Sequence, residues 1–203
     1  MKSVYDLDGD DTQLLIRAQR FDPDALRTLH NRFYEPVYRY VQFKVADSSV
    51  CEDLTSEVFV RLLEALRQGR VWRTTPDAWI FGIARNVVVD HYRNKGRRAE
   101  VALDEDLAAT SDDGPVKHVM AVEQHEALAQ AMAMLTDEQR DVVLMRFMEG
   151  LNIKDVADAL NKTPGAIKGL QFRALKTLSE IMQRFSEEAT GGSVYEHGIE
   201  TPI

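Results

Sequence analysis

Three acidic side chains recur at helical spacing in the segment CEDLTSEVFVRLLEALRQG, residues 51–69. Asp53, Glu57 and Glu64 lie on one face, and a separate apolar stripe is formed by Leu54, Val58, Leu62 and Leu66. Paired carboxylates suit acid–base catalysis or metal binding, yet no histidine or further acid is spaced to complete either site. Two interpretations remain, a solvated acidic face or a surface that docks on a basic partner.

The following segment, VWRTTPDAWIFGIARNVVVDHYRNKGRR, combines aromatic rings with basic and amide side chains. Its periodicity directs Arg85, Asn86 and Arg93 outward, and Trp72 precedes the helical pattern. Rings stack on unpaired bases and cations follow phosphates, so this composition is typical of a surface for single-stranded nucleic acid. The competing interpretation assigns the tryptophans to the core, and Trp79 is predicted to lie there.

A third group of residues predicts two short helices and a longer one near the C-terminal end. Thr136 and Gln139 form a capping box, and that helix stops at Gly150. Asn152 caps the next helix, IKDVADAL, and Thr163 with Pro164 starts the last one. A short helix, a four-residue turn and a longer helix form a helix-turn-helix, whose second helix lies in a DNA major groove.

The last of these helices separates apolar from basic residues. The predicted buried stripe contains Ile167, Leu170, Ala174, Leu175, Leu178, Ile181 and Met182. The opposite face carries Lys168, Gly169, Phe172, Arg173 and Lys176. Lys168 and Arg173 suit bases or phosphates, and Phe172 suits a thymine methyl group. The alternative is an ordinary solvated face with one exposed aromatic ring.

Helical periodicity positions all these groups, so the predicted fold class is all-α, with two small helical domains joined by a flexible acidic linker. The first domain covers residues 1–97 and the linker residues 98–121, where ALDEDLAATSDDGP loses the pattern. The helix-turn-helix domain covers residues 122–185, and residues 186–203 form a flexible tail. Pro36 is expected to bend or interrupt the second helix.

The net charge of −8 argues at first against nucleic acid, but the charge is unevenly distributed. Residues 85–98 hold five basic side chains and one acidic, and residues 154–184 hold six basic and three acidic. Residues 100–138 between them hold ten acidic side chains and Lys117. Two basic regions on either side of an acidic connector predict two nucleic-acid contacts on one chain.

Several other classes of protein are not expected. A single cysteine, Cys51, excludes an intramolecular disulfide and fits a reducing compartment. No apolar run is long enough for a membrane span, and the acidic N-terminus is unlike a signal peptide, so we expect a cytoplasmic protein with no membrane insertion. A phosphate loop, a nucleophile motif and metal-ligand spacing are all lacking, so no catalytic residue, metal or cofactor is expected.

Taken together, the three segments resemble the ECF (extracytoplasmic-function) group of bacterial RNA polymerase sigma factors. EDLTSEVFVRLLEAL resembles the polymerase-binding helix of region 2, and DAWIFGIARNVVVDHYRNKGRR resembles the segment that melts and reads the minus-ten element. LTDEQRDVVLMRFMEGLNIKDVADALNKTPGAIKGLQFRALKTL resembles region 4, which reads the minus-thirty-five element. The resemblance covers about residues 11–185.

The resemblance implies a role for each matching position. Asp53, Leu54 and Glu57 would dock on core RNA polymerase. Trp72 and Asn86 would capture an extruded promoter base, for which a pocket offsets the loss of stacking. Promoter DNA would further contact basic residues of the first domain and residues of the recognition helix, namely Arg85, Arg93, Lys95, Arg97, Arg98, Thr163, Lys168, Phe172, Arg173 and Lys176.

The resemblance also implies an anti-sigma factor as a further partner, and a linker that follows the polymerase interior. Gly169 and Leu170 stand where many relatives carry Ser and Arg, so the recognition helix has fewer polar groups for reading bases. The alternative function is a stand-alone helix-turn-helix regulator whose first domain senses a ligand or dimerises. Such a regulator would bind its operator without polymerase.

Overall fold

A computed structural model of the chain describes residues 9–45, 47–69, 74–102, 128 and 130–191. Regular structure within these residues is helical throughout, which confirms the predicted fold class. The helices are α1 (Gly9–Gln19), α2 (Pro23–Gln42), α3 (Ser48–Arg67), α4 (Pro76–Ala102), α5 (Asp137–Val143), α6 (Ile153–Ala159) and α7 (Pro164–Gly191).

Helices α1–α4 form an N-terminal bundle whose helix starts are set by local sequence. The Asp22 carboxylate accepts hydrogen bonds from the backbone N–H groups of Asp24 and Ala25, at 2.9 and 3.2 Å. Pro23 follows it at the first helical position, where the missing N–H has no cost. Asp47 caps α3 in the same way. These caps fix where α2 and α3 begin and therefore which faces point inward.

The bundle core is built from the predicted apolar stripes. Helix α3 buries the whole of its predicted stripe, and α2 and α4 contribute the large side chains Phe33, Tyr40, Ile80 and Phe81. The Tyr40 and Phe81 rings meet edge to face, with 5.8 Å between centroids. Helix α2 continues through Pro36 and ends at Gln42, so the proline does not interrupt it.

The C-terminal unit contains the predicted capping box and helix-turn-helix. The Thr136 hydroxyl accepts from the Gln139 N–H, and the Gln139 side chain accepts in return from the Thr136 N–H. Beyond α5 the chain forms a π-helical turn, Leu144–Met148, which ends before Gly150. Gly150 has φ +72°, a left-handed conformation that favours glycine, so the helix stops where the sequence predicts.

The two units pack directly against each other, which the sequence did not predict. Helix α4 of the bundle lies against α6 of the helix-turn-helix, and one continuous apolar core includes buried residues from both units. A methyl group added to Gly82 of α4 would lie 3.3 Å from the carbonyl oxygen of Ala159 in α6. The absence of a side chain at Gly82 therefore lets the two helices approach closely.

Helix ends differ from the predicted domain boundaries at two places. Helix α4 continues to Ala102, past residue 97, and α7 continues to Gly191, past Phe185. The remainder of the predicted acidic linker, residues 103–121, and of the predicted tail, residues 192–203, lies outside the described residues. Among the helices that are described, none combines the length and apolar character that crossing a membrane requires.

Candidate nucleic-acid interface

The predicted acidic face lies on the outside of α3. Asp53 is exposed, and Glu57 is half-buried because its carboxylate accepts a hydrogen bond of 3.0 Å from Arg61 Nε. Arg61 also pairs with Asp90 of α4, at 2.9 Å, which ties the acidic helix to its neighbour. Leu54 is only 5% exposed and packs in the core, so its side chain supports this face from beneath. Asp53 is therefore the most accessible of the predicted polymerase-docking residues.

The outward face of α4 is partly exposed and partly enclosed. Arg93 and Lys95 are exposed, and Arg93 forms a surface ion pair with Asp90 at 3.1 Å. Asn86 is exposed, whereas Arg85 is half-buried at the contact between the two units. Trp72 and the side chains of Arg97 and Arg98 lie outside what the structure describes. The structure thus brings Arg85 and Asn86 together and leaves Arg93 and Lys95 further along the helix.

A groove of about 850 Å³ runs along this part of α4. Its bundle wall includes Trp79, Arg85 and Asn86, and its opposite wall is the end of α6 and the following turn, residues 158–161. Trp79, predicted to lie in the core, is half-buried and packs against the core with part of its surface in the groove. An aromatic ring, a cation and an amide on one wall form the combination that an unpaired base requires.

Helix α7 presents the predicted recognition face to solvent. Phe172 is 71% exposed, and Lys168, Arg173 and Lys176 are exposed around it. Ile167, Leu170, Ala174 and Ile181 are buried on the opposite side, so most of the predicted stripe is confirmed. Leu175 was predicted in that stripe but is 42% exposed, because its position on the helix turns it towards the basic face.

The turn before α7 is held by short-range hydrogen bonds. Four residues, 160–163, connect α6 to α7 as predicted, and Asn161 turns the chain with φ 52°. The Thr163 hydroxyl accepts from the Ala166 N–H at 3.2 Å, so this predicted DNA-binding residue caps the recognition helix. Lys162 pairs with Glu138 at 2.8 Å and anchors the turn to α5. The cap and the ion pair together fix the direction of α7.

A buried polar cluster, which was not predicted from the sequence, lies at the contact between the two units. Asp141 of α5 has only 3% of its side chain exposed. Its carboxylate accepts hydrogen bonds from Tyr40 Oη and Lys44 Nζ, each at 2.8 Å, and from Arg85 Nε at 3.3 Å. We call Tyr40, Lys44, Arg85 and Asp141 the interdomain cluster. The only sequence signal for it is an acid beside the apolar run VVLM.

Burial shifts the titration of groups at this contact. Burial raises the pKa of Tyr40 well above its usual value, and the neighbouring Asp141 carboxylate raises it further, so the hydroxyl remains a proton donor. Burial also raises the pKa of Asp155 in α6, an effect opposed by a hydrogen bond with the Thr75 side chain of the bundle. Both groups therefore depend on the packing of one unit on the other.

No group of three or more His, Cys, Asp or Glu side chains within the described ranges is arranged to hold a metal ion. The observed geometry is instead one of surfaces: an acidic helix face, a groove with an aromatic ring and cations, and a basic recognition helix. Each is suited to binding a macromolecule.

Two protein-family models match the chain in the order of its two units. Sigma-70 region 2 matches residues 29–98, and Sigma-70 region 4 matches residues 125–178. Together they account for more than half of the 203 residues. The chain belongs to the sigma-70 family. We therefore call helices α1–α4 the region 2 unit, and α5–α7 the region 4 unit.

Curated relatives of this chain are named as ECF RNA polymerase sigma factors. BldN of Streptomyces coelicolor is 36% identical over 175 residues, which cover 84% of this chain and 65% of BldN. SigX of Bacillus subtilis is 29% identical over 171 residues, covering 81% of this chain and 87% of SigX. The chain thus spans about two thirds of BldN and most of SigX.

Two solved structures share the fold. CnrH, solved with the cytosolic domain of CnrY, matches 86% of this chain and 97% of its own, with a TM-score of 0.61 and 21% identity. The sigma factor RpoE of Bartonella quintana, solved with the anti-sigma factor NepR, matches 77% of this chain and 96% of its own, with a TM-score of 0.62 and 19% identity. These matches establish the same helical architecture.

Proposed function

We propose that this chain is an ECF-type sigma factor that binds core RNA polymerase, directs it to specific promoters and aids promoter melting. The observation that carries the proposal is the order of two sigma-70 units on one chain, region 2 followed by region 4. In this proposal the chain itself catalyses no reaction. It acts by positioning polymerase and stabilising melted DNA.

Promoter contact is assigned to both units. In region 2, Trp72 and Asn86 receive an extruded base, while Arg85, Arg93, Lys95, Arg97 and Arg98 hold the backbone. In region 4, Lys168, Phe172 and Arg173 read the upstream element, with Lys176 on phosphate and Thr163 at the helix start. Leu170 is buried and Gly169 has no side chain, so we expect the upstream preference to be broad.

Polymerase docking is assigned to the acidic face of α3, through Asp53 and Glu57 with Leu54 beneath them. Asp53 is exposed at the surface of the helix, as docking on a basic partner requires. The proposal places the domain boundaries at residues 97, 121 and 185 and the protein in the cytoplasm. It includes an anti-sigma factor as regulator, because the relative RpoE was solved with one.

The test is run-off transcription with purified core polymerase on a randomised promoter library. We expect transcripts only when the chain is added, with start sites downstream of a shared minus-ten sequence. Failure to initiate from any template overturns the proposal. Nanomolar operator binding without polymerase, combined with that failure, would identify a stand-alone helix-turn-helix regulator.

The assignment of polymerase docking to the acidic face of α3 is tested separately, with charge-reversal variants. Charge reversal by Asp53→Lys with Glu57→Lys is expected to weaken core binding at least tenfold, since like charges then face each other. Glu52→Lys is the matched control, because Glu52 is exposed one residue earlier and points to a different side of α3. Equal core affinity for the double variant and the control would refute the assignment.

A further inference from the structure

A glycine in the second turn of α7, Gly169, has no structural reason in the fold. Glycine in a helix interior lowers helix stability relative to alanine, so its presence calls for a compensating role. Gly150 adopts a left-handed backbone, and Gly82 lets α4 and α6 approach closely. Gly169 does neither, because its φ is not positive and a methyl group added to it would touch no other helix. The reason for this glycine therefore lies on the surface of α7.

The space beside Gly169 is taken by the side chain of Arg173. A methyl group added to Gly169 would lie 3.4 Å from Arg173 Nη1, and apart from the nearby backbone of α7 no other atom of the described residues would be within 4 Å. Helical side chains lean towards the N-terminus, over the residue four positions earlier. Gly169 is half-buried although Lys168 and Arg173 around it are exposed. The Arg173 guanidinium thus lies where a side chain at position 169 would be.

The Arg173 guanidinium is available to a ligand, unlike other polar groups of the same helix. The Gln171 side chain accepts a hydrogen bond of 3.4 Å from Arg146, which ties it to the turn before α6. Lys176 lies 3.8 Å from Glu180 on the same helix. None of the residues that the structure describes pairs with Arg173 through a hydrogen bond or an ion pair. Its N–H donors all remain free for a partner.

The position of this guanidinium along α7 suits a base more than a phosphate. The N-terminal residues of a recognition helix are the ones that contact base edges in the major groove. By lying over Gly169, the guanidinium is moved about one turn, roughly 5 Å, towards that end of the helix. A planar guanidinium donates two parallel hydrogen bonds to O6 and N7 of guanine, which the ammonium group of Lys168 cannot do. The geometry therefore favours one guanine.

We propose that Gly169 is a positioning residue for Arg173: because position 169 has no side chain, the Arg173 guanidinium lies over it and reads one guanine of the upstream element. This inference rests on the proposed promoter function. The upstream preference is then broad at the other base pairs and narrow at the one that Arg173 faces. The missing side chain at position 169 thus determines specificity, although it contacts no base itself.

The inference is tested by run-off transcription with core polymerase on templates randomised upstream of the minus-ten sequence. For the unaltered chain we expect one position where guanine is preferred roughly tenfold over the other bases. Gly169→Met fills the space over position 169 with a group that forms no hydrogen bond to bases, so that preference should be lost. Gly169→Ala is the matched control, because its methyl group reaches only contact distance from Arg173 and should preserve most of the preference.

Variants of Arg173 show whether both residues act through one contact. Arg173→Lys keeps the positive charge and loses the planar fork, so it should lose the same guanine preference while phosphate binding persists. Combining it with Gly169→Met should cause no further loss of that preference, since effects on a single shared contact do not add. Lys168→Ala is expected to lower initiation at all upstream sequences alike. A guanine preference that survives Gly169→Met would overturn the proposal.

Thermal unfolding separates this role from damage to the helix. Gly169→Ala and Gly169→Met should both raise the unfolding temperature, because each replaces a helical glycine, so a lost preference cannot come from a weaker α7. If the unaltered chain initiates from no template, the proposed function fails. The same randomised duplexes are then selected for binding to the full chain alone, which tests the inference without polymerase. Absence of a preferred guanine in that selection, or among transcripts that do form, would refute it.

Discussion

At the residue scale, single side chains at helix ends link stability to pH. The pKa of Asp22 is lowered to about 2 by a hydrogen bond from Arg17 and by the backbone N–H of Ala25. Because the folded pKa is below the unfolded one, the charged carboxylate contributes stability above about pH 4, and this is lost as the pH falls towards 2. Asp22→Asn is therefore expected to make the free energy of unfolding depend less on pH below about pH 4.

The prediction for Asp22 is tested by measuring the midpoint of urea unfolding between pH 2 and pH 7, for the unaltered chain and for Asp22→Asn. The difference between the unaltered chain and Asp22→Asn should be largest near neutral pH and shrink below pH 4. Asp24→Asn serves as the control, because Asp24 is exposed and its carboxylate forms a longer ion pair, 3.4 Å, with Arg27. A difference that stays constant with pH would contradict the assigned cause.

Phe172 provides a second residue-scale prediction. Its ring is 71% exposed on α7, so Phe172→Ala should change the free energy of unfolding by less than about 0.5 kcal/mol. The same change should weaken initiation at promoters with the upstream element and spare promoters that lack it. Leu170→Ala is the opposite case, because Leu170 is buried and its truncation should cost roughly 2–4 kcal/mol. Thermal unfolding and run-off transcription of both variants check the contrast.

At the element scale, Thr163 separates a structural from a DNA-binding role. Its hydroxyl caps α7, so Thr163→Ala is expected to lower stability by about 1 kcal/mol. Thr163→Ser keeps an oxygen at the cap and should recover most of that loss. If the hydroxyl also contacts DNA, Thr163→Ala lowers promoter affinity even at temperatures where α7 is fully folded. Equal stability of the alanine and serine variants would contradict the capping role.

Helices could be predicted from sequence because their signals are local. The capping box at Thr136, the cap at Thr163 and the stop at Gly150 each depend on residues within one turn, and all three are present. The effect of Pro36 was harder to predict, because packing of α2 on α3 and α4 maintains the helix through a residue that weakens it. The π-helical turn before Gly150 has no comparable local signal.

The docked arrangement could not be predicted, because it pairs residues far apart in sequence. Tyr40 and Asp141 are separated by 101 positions, and Arg39 and Glu149 by 110. A single sequence contains nothing that joins such positions. The acidic and basic faces of α3 and α7 were found because each lies on one helix. Arg85 was predicted to contact DNA for the same reason, whereas its ion pair with Asp141 is seen only in the structure.

At the scale of the whole molecule, the continuous core predicts cooperative unfolding of the two units. Buried residues of both units belong to one apolar cluster, and the hydrogen bonds of the interdomain cluster also join the two units. Unfolding of region 4 alone would expose the apolar surface that region 2 buries against it. We therefore expect that neither unit unfolds separately under mild denaturation. Amide hydrogen exchange is expected to give similar protection free energies for the central turns of α2, α3 and α7.

Asp141→Asn should give the two units different protection from amide hydrogen exchange. The variant leaves Lys44 and Arg85 facing a neutral group, which weakens docking by roughly 1–3 kcal/mol. The loss cannot exceed the free energy of docking, because beyond that point the units separate and the cations return to water. Protection of α7 should therefore fall below that of α2 and α3, while both sets of helices remain folded. Equal loss of protection in all helices would mean that the two units still unfold together, and that Asp141 is not what couples them.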